Sequence, residues 1–487
     1  MRSLLIFTLL SVTVFASCES NLTDMNEDPI NPEDAAASSL FSNAQASYSD
    51  FLQSPNVNLN DYKLHAQYWA QTTYPEESQY LLSLRDVPSN IWSEIYRDVL
   101  FDLDDAASKI NNNEVMDQAV KNNQLAKIEI MKILGYSLLV KTFGDIPYDE
   151  ALNPNNTLPA YDDEVYVYNN LITRLNDAIA DLNPNAEGFS GNADLFYDGN
   201  INAWVKFANS LKLRMAITIA DVASNLEGLE HDPETMIENA APNAFTSNAD
   251  NAMVSFQNIP PHASPIWEEL VQSGRNDFVP ANTLVDTMNG LGDPRRPSYF
   301  TQLGGEYVGG TYGYSNAYAT NSHFTEEIKS ETFPVVIMDY AEVQFILAEA
   351  AERGYDVSNS AADYYHEGIR ASMQYWDVPS DDIEDYLDKS NIAYSSAPGT
   401  WKEKIGLQKW LAHYLQGFQG WNTWRRLDTP EFNHPNPEVW SPDELPVRYF
   451  YPVDEQNLNT TAYENAQDNM GISGDEPMLH HLFWDVN

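Results

Sequence analysis

Three observations predict a mainly α-helical chain carrying a large loop-rich surface. Apolar residues recur at helical spacing in several long segments, and strand-like alternation is scarce. The 27 prolines, with many Asn, Asp and Gly residues, gather between about 225 and 335 and again from about 427 to the end. From Ala35 onward helices dominate. Leu125, Ile128, Met131, Leu134, Leu138 and Leu139 share one broad face, and Gly144 and Pro147 stop that helix. Similar stripes run through Trp204, Phe207, Leu211, Met215 and Ile219, and through Val343, Phe345, Ile346, Leu347 and Ala350. Such faces are buried only by packing on one another. Nothing in the pattern marks a second domain, so residues 35–487 read as a single one.

The N-terminus has a different character. Residues 1–17 combine Arg2, a short apolar run and the small residues Ala16 and Ser17, which is the form of an export signal. Cys18, the only cysteine, follows directly, in the position of the lipidated residue of the bacterial lipobox. Residues 18–34 are polar and acidic, with Pro29 and Pro32, and read as a tether. No later stretch is long and apolar enough to cross a bilayer, so the expected attachment is a lipid on Cys18. A lone cysteine allows no internal disulfide. The formal net charge of −46, from 26 basic and 72 acidic residues, repels phosphates and other polyanions. Nucleic acid is therefore not an expected partner, and a neutral ligand is.

Four features could carry chemistry. Tyr62, Tyr68, Trp69, Tyr74 and Tyr80 are interleaved with His65, Gln67, Gln71 and Gln79, a mixture suited to stacking on sugar rings while amides supply directional hydrogen bonds. The alternative is that Tyr68 and Trp69 belong to the core of a helix. Pro75 places Tyr74 near a helix end or turn. In the second feature, Ser264 and Pro265 can start a helix whose first turn holds Trp267, either as a platform or as a packing staple. Arg275 and Asn276 follow as candidate polar contacts, unless Arg275 is tied into an internal ion pair. The third is a glycine-rich loop, 304–314, carrying Tyr312 and Tyr314; it lacks the lysine of a phosphate-binding loop and reads either as an adaptable binding edge or as an ordinary surface loop. The fourth is the carboxylate population, too large for any catalytic pair to stand out. The zinc-protease, nucleophile-elbow and EF-hand motifs are missing, and His480-His481 does not suggest a metal site. No cofactor is expected.

Several blocks, taken in order, resemble the SusD/RagB nutrient-binding outer-membrane lipoproteins of Bacteroidetes. These are Asn26 to Pro32, Ile91 to Leu100, Leu125 through Phe143-Gly-Asp-Ile-Pro-Tyr148, Asp293-Pro-Arg-Arg296, Tyr340 to Ala350, Gln416 to Arg426 and Arg448 to Asn457. The Tyr-Ala-Glu-Val-Gln-Phe form is similar to the SusD-like branch. The resemblance implies tetratricopeptide-like helix pairs with a loop-rich ligand-binding face, and a cell-surface, non-enzymatic protein. It also implies capture of oligosaccharide or polysaccharide, with a neutral glucan favoured, for a SusC-like TonB-dependent transporter. It transfers no ligand-binding residues, so Trp69, Tyr74, Trp267, Arg275, Asn276, Tyr312 and Tyr314 rest on their chemistry alone. Two other readings stay open: an exported helical glycoside hydrolase or lyase, and a peptide-binding member of the same family.

Overall fold

The computed structural model describes residues 35–472 and 477–487. The expectations for the signal segment, Cys18, the tether and the Asn26–Pro32 block lie outside those residues. Nine longer helical stretches form the scaffold: α1 (Ala37–Gln53), α2 (Val87–Ser93, Glu94–Leu100 and Phe101–Asn111, run on as one helix with a wider middle), α3 (Gln118–Phe143), α4 (Glu164–Asp181), α5 (Ile201–Thr218), α6 (Tyr340–Glu352), α7 (Ala361–Tyr375), α8 (Trp401–Ala412) and α9 (Gly417–Leu427). They pack as neighbouring pairs in the manner of tetratricopeptide units: α1 on α2, α3 on α4, α6 on α7 and α8 on α9. Four short strands make two two-stranded antiparallel sheets, β1 (Trp69–Gln71) with β3 (Phe278–Pro280) and β2 (Ala252–Val254) with β4 (Val335–Met338).

Helix α3 follows its sequence closely. Asp117 caps the start by accepting hydrogen bonds from the Ala119 and Val120 amides, satisfying donors that have no partner within the helix. Gly144 ends it at φ 88°, a conformation that disfavours a side chain. A Cβ there would also lie 2.2 Å from the Met470 methyl group. From Ile128 onward every residue of α3 except Glu129 is buried. This wrapping on all sides is why the apolar stripe alone understates how central the helix is.

The pairs are joined by buried ion pairs as well as by apolar contact. Helix α6 is the hub. Its Glu342 receives a two-pronged contact from Arg214 of α5 (2.7 and 2.5 Å), and its Glu349 accepts from Arg426 of α9 (2.6 Å) and from Arg353 (2.7 Å). Burial pushes both carboxyls up, but the adjacent guanidiniums outweigh it and hold Glu342 well below, and Glu349 below, the usual glutamate range. The segments 66–86 and 252–335, between these helices in sequence, and 428–452, after α9, supply the surface described next.

Candidate ligand-binding face

Strands β1 and β3 pair Trp69 with Pro280, Ala70 with Val279 and Gln71 with Phe278, and all six residues are buried. Trp69 is 1% exposed, stacked on Phe324 (centroids 4.2 Å apart, 28° between planes) and tilted against Phe278 at 5.5 Å. The expectation that Trp69 offers a stacking face is thus overturned. Sandwiched between two phenyl rings, it is core, in a strand and not in the helix that the alternative supposed. Tyr62, Tyr68 and Tyr80 are buried as well. The aromatic-rich composition of this stretch reflects packing at four of its five members.

Tyr74 is the exception, 61% exposed at φ 52°. A left-handed backbone is unfavourable for a bulky residue and persists only where its surroundings enforce it. Gln71 does the enforcing. Its amide nitrogen donates to the Tyr74 carbonyl (2.7 Å) and to Glu77 Oε2 (2.8 Å), while its amide oxygen accepts from the Ser78 N–H (3.0 Å) and Ser78 hydroxyl (2.7 Å). One buried side chain therefore closes the turn that pushes Tyr74 outward. Arg85, paired with Glu77, stands 5.8 Å over the Tyr74 ring.

The partner strand delivers the next candidates to the same edge. Thr72 N–H donates to the Asp277 carbonyl (2.8 Å), and the Thr72 hydroxyl donates to the Asn276 carbonyl (2.5 Å). This leaves the side chains of Arg275 and Asn276 exposed beside the Tyr74 turn. Arg275 is in an ion pair with Asp277, as the alternative allowed, but the pair sits at the surface, and its guanidinium side chain stays 55% exposed. A surface pair of this kind is worth little and yields readily to a ligand.

The glycine-rich loop closes the third side. Asn316 donates to the carbonyls of Gln71 (3.0 Å), Thr311 (3.0 Å) and Tyr314 (2.8 Å), so Tyr314 and Tyr74 are both tied to the end of β1. Tyr314 is 39% exposed. Tyr312 points the other way: 1% exposed, its hydroxyl donates to that of Tyr80 (3.2 Å), so it is core and not a binding residue. Nor is the 309–313 part of this loop an adaptable edge. A Cβ on Gly309 would come within 2.5 Å of the Asn282 Cα, and Gly313, at φ 74°, lies under Pro435. Gly309, Gly310 and Gly313 permit close approach and fix that part of the loop in place, whereas Gly304 and Gly305 face open space.

Sequence reasoning missed Trp440. It is half-buried, edge-on to Tyr80 at 5.4 Å, with its indole N–H donating to the Glu444 carbonyl (3.1 Å). A tryptophan in a Pro- and Asn-rich loop was a usable signal, the same one that drew attention to Trp267. Trp267 itself is half-buried where Pro265–Trp267 packs on α1. That turn starts the helical segment leading into Arg275, but no contact joins Trp267 to Tyr74 or Tyr314. The face thus consists of Tyr74 and Tyr314, with Arg275 and Asn276 beside them, while Trp440 stands behind it against the buried Tyr80. The face can stack on a flat ligand and offer a few polar contacts.

A family described as starch-binding and associating with the outer membrane matches residues 29–452. Among solved structures, a chitin-binding protein is 26% identical, with 93% of this chain and 100% of that one covered and a TM-score of 0.76. A SusD homolog from Bacteroides uniformis is also 26% identical, with 93% and 100% covered and a TM-score of 0.75. A chitin-binding SusD homolog from Flavobacterium johnsoniae shares the fold at 24% identity, with 92% and 97% covered and a TM-score of 0.74. No curated protein sequence matches the chain. A family match over nearly the whole length and relatives of the same helical fold make the chain a member of the SusD-like family of carbohydrate-binding, outer-membrane-associated proteins.

Proposed function

We propose that this protein is a lipid-anchored, non-enzymatic receptor on the cell surface that captures a neutral oligosaccharide or polysaccharide and passes it to a TonB-dependent transporter of the SusC type. The observation that carries the reading is the Gln71-braced turn that holds Tyr74 out in a left-handed conformation beside Tyr314. Paying backbone strain to expose an aromatic ring is explained by a ligand that stacks on it. Family membership supports carbohydrate, and the net charge of −46 supports a neutral one. Both glucans and chitin-type chains satisfy that requirement; the former follow from the sequence resemblance, the latter from what two of the similar structures are said to bind.

The test is calorimetry with neutral hexasaccharides of the α-glucan, β-glucan and chitin types. Tyr74→Ala is expected to weaken the preferred ligand about tenfold, the effect of losing roughly 1–2 kcal/mol at one stacking platform, and Tyr314→Ala to weaken it by less. Unchanged affinity in the double variant would remove this face from consideration. The anchor has its own check. Cys18→Ala should move the protein from the outer-membrane fraction to the soluble fraction in cells lacking the transporter; retention at wild-type levels would refute lipid attachment.

A further inference from the structure

A second cleft, of about 1020 Å³, opens on a different part of the surface and shares no residue with the Tyr74 face. Its size is at the upper end of the roughly 300–1,000 Å³ typical of small-molecule sites. One wall is α1, with Ser42, Asn43, Asp50 and the buried Ser49. The second is the loop 190–198, and the third is the end of β2 with the loop through Phe256, Gln257 and His262.

The loop wall is held from behind by Lys127, Trp204 and Gln45, none of which lines the cleft. Asp194 accepts from the buried Lys127 ammonium (2.6 Å) and the Trp204 indole (2.7 Å), and Gln45 of α1 clasps the same loop through the Ala193 carbonyl (2.9 Å) and the Leu195 N–H (3.1 Å). The 255–262 loop is closed by Gln257 N–H donating to the His262 carbonyl (2.7 Å). The shape is therefore preorganised.

What lines it limits the ligand. Among the described residues neither lysine nor arginine does, so phosphate, sulfate or carboxylate groups find no lysine or arginine counter-charge there. The Asp194 carboxylate is already spent on Lys127, which leaves Asp50 and Asp198 among neutral hydroxyls and amides, and among the described residues no three metal-ligating side chains come together there to hold a hard cation. Among the described residues no hydrogen bond reaches the half-buried Asp50 carboxylate, so its oxygens are open to donors from a ligand. Across from it stand the amides of Asn192 and Gln257, and the half-buried Phe256 ring. Acceptor, amide donors and one aromatic surface without lysine or arginine match a chain of uncharged hydroxyl-bearing rings.

We propose that this cleft is a second binding site for a neutral polyhydroxylated chain, with Asp50 accepting from ligand hydroxyls and Phe256 packing on a ring face. It rests on the glycan-binding reading above. A receptor with two separate sites would hold one polymer at two points and gain avidity from the linkage between them.

The test uses the mature full-length chain and the preferred neutral hexasaccharide from the panel above. Wild type should titrate with two sites per chain. Tyr74→Ala/Tyr314→Ala should retain one, and adding Asp50→Asn and Phe256→Ala should weaken that remaining site at least tenfold while the thermal midpoint stays near that of the parent. Asp50→Asn alone, which preserves size, serves if Phe256→Ala unfolds. One site in wild type, lost entirely on removing Tyr74 and Tyr314, would overturn the second site and leave the function intact. Residual binding that ignores Asp50→Asn would overturn it equally. Absence of any glycan binding by the wild-type protein would sink the glycan reading itself, and this inference with it.

Discussion

Replacing Glu349 by Ala is expected to lower the unfolding free energy by about 3–5 kcal/mol, the usual cost of removing one partner from a buried ion pair. Glu349 is fully buried in α6 and accepts from both Arg426 and Arg353. Without it, two guanidiniums face each other with only Asp221, 2.8 Å from Arg353 and 3.5 Å from Arg426, to compensate. Charge, not volume, should dominate. Glu349→Gln therefore destabilises almost as much, while Glu349→Met combined with Arg426→Met recovers a large part of the loss. The sign of the pH dependence follows from the depressed carboxyl. Its contribution is fully present above the ordinary glutamate range and is lost as pH falls through the lowered folded-state value, so the gap between wild type and Glu349→Gln should narrow as pH drops below that range. Urea unfolding of the mature chain at pH 7 and pH 4 measures both. A Glu349→Gln curve superimposed on that of wild type at pH 7 would show that the pair contributes nothing to the scaffold.

That network also shows where sequence reading stops. The apolar stripe in Tyr340–Glu352 identifies α6 as a buried helix, and the structure agrees. Glu342 and Glu349 lie on the same helix, seven residues apart, yet their role depends on Arg214 and Arg426, which are 128 and 77 residues away. Local periodicity cannot see such partners. The helices were legible because their signal is local: stops such as Gly144 and spacing near 3.6. The loop-rich regions were legible as loops. Their geometry was not, because it is set by single side chains acting across the chain, as Gln71 and Asn316 do.

The candidate face divides along the same line. Tyr74 was marked by Pro75, and Arg275 and Asn276 by their polar character just after the Trp267 segment, all local signals. Whether an aromatic ring in a loop faces solvent or the core depends on what packs behind it. Tyr312 and Tyr314 are two residues apart on one glycine-rich loop, and one is buried against Tyr80 while the other is exposed. Trp69 was misassigned for a related reason: a three-residue strand is too short to declare itself by alternation.

Trp69 and Tyr74 are five residues apart, and the structure assigns them opposite work, so substituting each should give opposite results. Trp69→Ala empties a space between Phe278 and Phe324 behind the β1–β3 pair. Large-to-small changes of a buried aromatic cost about 3–5 kcal/mol, because lost transfer energy and the residual cavity add. Tyr74→Ala removes a ring that is 61% exposed and relieves no core contact, so its effect on stability should stay within about 0.5 kcal/mol. Binding should reverse the order. Below its own unfolding transition Trp69→Ala should hold glycan with nearly wild-type affinity, since Gln71 and its four hydrogen bonds still set the turn. Tyr74→Ala should be as stable as wild type and bind about tenfold more weakly. Thermal midpoints and calorimetric affinities measured on the two variants in parallel decide the matter. If Trp69→Ala abolished binding while leaving the midpoint unchanged, the tryptophan would have to reach the ligand, and the face as built here would be wrong.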